Sequence, residues 1–150
     1  MSLSYKKLEP TDLTILRELN LVFADAFGDQ KTHLSNRPSD YYLTQLLSRP
    51  TFIALAALEG SRVVGGLIAY VLEKYEQERS EIYIYDLAVD EAFRRRGIAR
   101  ALIERLQSMA KDYGAWAIFV QADKVDTPAV RLYESMGVSE EPIHFDIPVK

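Results

Sequence analysis

Two long apolar runs, TFIALAAL from Thr51 and RVVGGLIAYVL from Arg62, flank the turn Glu59-Gly60-Ser61. A tight turn between runs of this kind makes an antiparallel hairpin. Set within an early α-rich section, an antiparallel meander, one βαβ crossover and a last helix–strand pair, the hairpin argues a mixed sheet with helices on its faces.

The other elements arrange themselves around that hairpin. Ser4 to Leu8 reads as a short first strand. Pro10-Thr11-Asp12 opens a helix in which Leu13, Leu16, Leu19, Phe23 and Phe27 recur at helical spacing until Gly28 ends it. A polar stretch from Asp29 to Pro38 leads to a second helix starting near Ser39 or Asp40, with Tyr42, Leu43, Leu46 and Leu47 on its apolar side and Pro50 as its stop. Beyond the charged stretch Glu73 to Arg79, EIYIYDLAV (Glu81 to Val89) is rich in β-branched and aromatic residues and reads as a third long strand. A basic loop follows, then a helix from Ile98 to Tyr113, a strand from Ala115 to Ala122, a helix from Thr127 to Met136, and a final strand in IHFDIPV. Gly114 and Gly137 supply the helix stops. The expected fold class is α/β, with a mixed, mostly antiparallel sheet flanked by helices in a single domain over residues 1–150.

Composition narrows the function. A chain of 150 residues with 48% hydrophobic content can bury one sizeable core. With 18 Lys and Arg against 22 Asp and Glu it lacks the general positive field of a nonspecific nucleic-acid binder. There is no Cys, hence no disulfide, thiol nucleophile or thiolate metal site. His33 and His144 stand alone, without a second ligand at metal spacing, so no metal is expected. No run of about 18 apolar residues suggests a membrane span, and Met1 to Pro10 lacks the apolar stretch of a signal peptide. A cytoplasmic location is expected.

The loop Arg94-Arg95-Arg96-Gly97-Ile98-Ala99-Arg100 lies between a strand and the first turn of a helix. Unpaired N–H groups at a helix start bind phosphate oxygens, Gly97 and Ala99 allow close approach, and the arginines add fork-shaped donors. The Gly-Lys-Ser/Thr phosphate loop and the three-glycine dinucleotide pattern are both absent. Alone, such a loop is equally a solvated arginine turn that starts a helix.

Context gives it meaning. A strand ending Asp86-Leu87-Ala88-Val89, then Arg94-x-x-Gly97-x-Ala99, another strand, and Asp126-x-Pro128-Ala129-x-x-Leu132-Tyr133-x-x-x-Gly137 resembles the GNAT superfamily of acetyl-CoA-dependent N-acetyltransferases. More narrowly, TFIALAAL, SEIYIYDLAV, VQAD, DTPAVRLYESMG and HFDI are similar to class I aminoglycoside 3-N-acetyltransferases of the gentamicin-resistance type. The resemblance implies that Arg94, Arg95, Arg96, Gly97, Ile98, Ala99 and Arg100 hold the coenzyme A pyrophosphate. It implies further that the backbone of Leu87, Ala88 and Val89 pairs with the pantetheine arm, the Val89 N–H polarising the thioester carbonyl. Asp126, Ala129 and Leu132 would contribute to the same cofactor site. Tyr133 stands where the family keeps its proton donor, although such a helix tyrosine could equally pack in the core. Members of the family often pair through C-terminal strands, which leaves room for a homodimer.

Asp86 has a separate physical argument. By strict alternation it shares a face with Ile82, Ile84 and Ala88, where a carboxylate is costly unless paired or protonated. Desolvation would raise its pKa toward the range of a general base. The plainer alternative is a carboxylate that caps a bulge. Glu81 is a second candidate base, acting through water. Glu81, Tyr85, Asp123, Glu140 and Glu141 would line an acceptor groove whose carboxylates suit a small polycationic amine. The expected activity is direct acetyl transfer to an aminoglycoside amine at the 3-position, without metal, nucleic acid or membrane. A GNAT enzyme for a polyamine or peptide amine and a noncatalytic acyl-CoA module are the alternatives.

Overall fold

The structure, a computed structural model, describes residues 2–150. Strand β1 (Leu3–Lys7) precedes helices α1 (Leu13–Phe27), α2 (Gln30–Leu34) and α3 (Asp40–Ser48). Strands β2 (Phe52–Glu59), β3 (Arg62–Glu73) and β4 (Ser80–Val89) form a meander, followed by α4 (Ile98–Ala110), β5 (Ala115–Val120) and α5 (Thr127–Met136). The sheet has five strands in the order β1-β2-β3-β4-β5. All neighbours are antiparallel except β4 and β5, which α4 connects as a crossover.

Both faces of the hairpin are covered, as its composition demands. On one face Ile53, Leu55, Val64, Leu67, Ile82 and Ile84 pack under α4, whose Ile98, Leu102 and Leu106 are buried, and the partly buried Leu132, Tyr133 and Met136 of α5 join them. On the other face Phe52, Ala54, Ala56, Leu58 and Ile68 lie beneath Leu16, Leu19 and Phe23 of α1 and Leu43 and Leu47 of α3. The Gly65-Gly66 pair in β3 makes this second layer possible. A Cβ on Gly66 would come within 2.5 Å of the Leu55 carbonyl oxygen and 2.6 Å of Leu19 Cδ1.

Three expectations need correction. The polar stretch after Gly28 contains a helix, α2, which rests on side-chain bonds in place of apolar periodicity: Asp29 Oδ1 accepts from the Thr32 N–H at 3.1 Å, and Asn20 Nδ2 donates to the His33 carbonyl at 2.6 Å. The run IHFDIPV forms no strand, because nothing among the described residues pairs with it; residues 138–150 have no regular secondary structure and are solvent-exposed. The third concerns Asp86. In β4, Ile84 pairs with Ala69 and Asp86 with Ile68, so Tyr85 is an extra, bulged residue. Strict alternation fails there, and Asp86 lies on the α1–α3 face with Ile68 and Ala88, opposite Ile82 and Ile84.

Candidate active site

The site forms where two parallel strands part. β4 and β5 pair from Ser80 opposite Ala115 to Ile84 opposite Val120, with one register shift after Ser80, and there β5 ends. Asp86 to Val89 keep their pairing to β3 but have no strand on the other side. The Asp90 N–H donates to the Val64 carbonyl at 2.8 Å, toward β3. Successive N–H groups of an extended chain alternate in direction, so the Val89 N–H faces the open edge. Arg94 Nε reaches the Val89 carbonyl at 3.2 Å and ties the following loop to that edge.

The bulge places Tyr85 and Asp86 together on the α1–α3 face, among aromatic rings. Tyr70 meets Tyr85 edge-on at 5.9 Å between centroids, Tyr83 lies 5.6 Å from Tyr85, and Tyr83 stacks on Phe119 of β5 at 4.6 Å. Burial among these groups pushes the Asp86 carboxyl above its ordinary value, and His33 opposes the rise. Burial likewise raises the Tyr70 hydroxyl, with Asp86, Tyr42 and Tyr85 adding to it. The floor of this cleft includes Tyr70, edge-on to Tyr85. Sequence reading missed Tyr70 as part of the site, since no motif marks it.

The loop after β4 has the form of an anion cradle. Arg95 and Gly97 both adopt positive φ, 65° and 75°, which turns the neighbouring N–H groups inward. Gly97 N-caps α4 without a side-chain bond, and the first intrahelical bond runs from the Ala101 N–H to the Gly97 carbonyl. The N–H groups of Ile98, Ala99 and Arg100 consequently lack helical partners. Arg96 lies over the Phe93 ring at 4.9 Å, and Arg100 bonds the Ser135 hydroxyl, joining α4 to α5. A small cavity of about 150 Å³ between α1 and the end of β4 is lined by Val22, Asp25, Val89 and Arg94 among others.

Tyr133 comes from α5 on the α4 side of the sheet, half-buried beside Leu132. Burial, reinforced by Asp126, holds its hydroxyl above the ordinary tyrosine value and so protonated at neutral pH. Asp126 caps α5 by accepting from the Ala129 N–H at 3.4 Å, so these two residues fix the helix that carries Tyr133. Glu81 lies at the far end of β4, about 16 Å from Asp86 by strand rise, and is 3.6 Å from Lys74 Nζ. Asp123 is an exposed loop residue after β5, and Glu140 and Glu141 belong to the exposed C-terminal segment, where Glu141 pairs with Lys124 at 3.1 Å. Along the strand, Glu81 is separated from Asp86 by half the length of β4. Among the described residues no group of three or more His, Cys, Asp or Glu is arranged to hold a metal ion, and no helix is long and apolar enough to cross a membrane.

Comparison with known proteins matches residues 18–138 to the acetyltransferase (GNAT) family. A solved aminoglycoside acetyltransferase from an uncultured soil metagenomic sample is 54% identical, with the whole of both chains covered and a TM-score of 0.97. A second such enzyme from a soil metagenomic sample, solved in complex with sisomicin, is 35% identical over 99% of this chain and 97% of its own, with a TM-score of 0.91. The [ribosomal protein bS18]-alanine N-acetyltransferase of Escherichia coli is 28% identical over 91% of this chain and 80% of its own length. Rat N-acetyltransferase 8B is 26% identical over 77% of this chain, which spans only 46% of that protein.

Proposed function

Since the chain belongs to the GNAT family of acetyltransferases, we propose that it transfers acetyl from acetyl-CoA directly to an amine of an aminoglycoside, at the 3-position of gentamicin-type acceptors. The observation that carries the acceptor class is the full-length match, at 54% identity, to a solved aminoglycoside acetyltransferase. The 3-position rests on the sequence resemblance described above. The aromatic, carboxylate-bearing cleft supports the same class, because rings that stack on sugar faces and attract ammonium groups suit a polycationic sugar.

The chain's own groups fit the donor. Three helix-start N–H groups and the arginines of residues 94–100 would hold the diphosphate, and the free edge of Leu87 to Val89 would accept the pantetheine arm. Acetyl-CoA supplies the activated acetyl group when bound. Asp86 takes a proton from the acceptor's ammonium and leaves a neutral amine. The Val89 N–H stabilises charge that develops on the carbonyl oxygen, and Tyr133 Oη supplies the proton that the departing sulfur requires. With no Cys in the chain, direct attack is the simpler route. A mass-spectrometric product assay over gentamicin, sisomicin, spermidine and alanine-initiated peptides tests the assignment. Acetylated gentamicin is expected, and acetylation of the peptides alone would overturn it.

We also infer that two copies pair through their C-terminal segments. Ile143, Phe145, Ile147 and Val149 alternate as in a half-buried strand yet are all exposed. The outer edge of β5 is unpaired, and Trp116 and Phe119 beside it are exposed. One chain thus carries both an unpaired strand and an unpaired edge, and two-fold exchange satisfies both at once.

A further inference from the structure

We propose that Gln121 is a specificity-determining residue for the acceptor: its side-chain amide, oriented by Tyr83, donates to a ring hydroxyl of the substrate while Asp86 takes the amine. The inference rests on the aminoglycoside reading above and adds to it what the second arm of the fork contributes.

Register puts Gln121 at the fork. β4 and β5 last pair at Ile84 and Val120, so the arms that separate begin with Tyr85 and Asp86 on one side and Gln121 on the other. One step earlier Tyr83 and Phe119 are partners, and their rings stack nearly parallel, 4.6 Å between centroids and 8° between planes. Tyr83 Oη donates to Gln121 Oε1 at 3.3 Å. That bond holds the Gln121 side chain on the face of Tyr83 and Tyr85, which is the face of Asp86. Burial, with Tyr85 and Asp86 adding to it, raises the Tyr83 hydroxyl above its ordinary value, so it remains a donor at neutral pH.

The chemistry of the amide follows from that bond. With Oε1 turned toward Tyr83, the two Nε2 hydrogens face away from it; Gln121 is exposed, and no hydrogen bond from Nε2 occurs among the described residues. Amide hydrogens bond oxygen or a neutral nitrogen, whereas an ammonium has no lone pair to offer them. The two arms therefore accept different groups: Asp86 draws the ammonium, and Gln121 takes a hydroxyl. Paired strands lie about 4.8 Å apart, so one six-membered ring that carries an amine and a hydroxyl can engage both arms at once. An open-chain polyamine can engage only the carboxylate. The fork is thus built for an amino sugar or aminocyclitol ring presented in one orientation.

Calorimetry on the CoA-loaded protein tests this with two probes: sisomicin, which carries ring hydroxyls, and spermidine, which carries amines alone. Gln121→Ala should weaken sisomicin binding about three- to tenfold, the size of one neutral hydrogen bond, and leave the affinities for spermidine and CoA unchanged. In steady-state kinetics the same factor should appear in the sisomicin KM, with kcat nearly kept. Tyr83→Phe keeps the stacked ring but frees the amide; it should weaken sisomicin as well, and the double variant should be no weaker than Gln121→Ala alone. Unchanged sisomicin affinity in Gln121→Ala, or equal losses for both probes, overturns the role of the amide even if sisomicin is acetylated. Additive losses in the double variant overturn the orienting role of Tyr83. Sisomicin held through Gln121 by a protein that acetylates no amine would keep this site and reject the acetyltransferase reading, and a protein that binds no sisomicin at all would overturn both.

Discussion

One additional residue in β4 decides where Asp86 points. Without the bulge at Tyr85 the carboxylate would be buried with Ile82 and Ile84 beneath α4; with it, Asp86 reaches the aromatic cleft. Asp86→Asn is expected to lower kcat by about 10²–10⁴-fold while acetyl-CoA still binds, measured by steady-state kinetics and calorimetry. The same change should stabilise the fold. Burial raises the folded-state pKa of Asp86 above 3.8, so between the two values the native state holds more protons than the unfolded chain, and stability falls as pH rises. The cost is complete above the folded pKa, so Asn should have the higher Tm at pH 7, with the gap closing below about pH 3.8. Gly97 makes the complementary case. Its φ of 75° is disfavoured for alanine, but a Cβ there meets nothing within 4 Å. Gly97→Ala should cost about 1–2 kcal/mol of stability and lose more than that in acetyl-CoA binding, as thermal melts against calorimetry would show. The loop of residues 94–100 at the start of α4 was legible in sequence because a motif and its spacing mark it. The face of Asp86 was not, since a bulge leaves no mark in the alternation, and Tyr70 enters only through packing.

Among the elements, α1 and β3 depend on each other. Leu19 lies completely buried over Gly66, so two consecutive glycines in the middle of an apolar strand are a seat for a helix and no accident of composition. Gly66→Ala is expected to destabilise by about 1–3 kcal/mol, the usual range for overpacking, and Leu19→Ala in that background should recover part of the loss; chemical denaturation of both variants measures it. Helices with apolar periodicity and glycine stops, α1, α4 and α5, were readable in advance to within a few residues. α2 was not, because a five-residue helix has no period to detect and depends on Asp29 and Asn20 for its bonds.

For the molecule as a whole, the C-terminal segment is where sequence and structure diverge. IHFDIPV has a strand's alternation, yet a single copy gives it no neighbour, and pairing is a property that no local pattern contains. Light scattering on the intact chain should give twice 17.1 kDa. Ile143→Asp with Phe145→Asp should give monomers that still bind acetyl-CoA, while an unaltered dimer would place the contact elsewhere. The parting of β4 from β5 bears on more than where chemistry occurs. Asp86 lies on the face covered by the helices of the N-terminal third and Tyr133 on the face covered by those of the C-terminal half, so the two proposed catalytic groups sit on opposite sides of the sheet. If each side is the doorway for one reactant, substitutions that reshape the first should change which amine is accepted while leaving acetyl-CoA affinity in place, and selection could work on one without renegotiating the other.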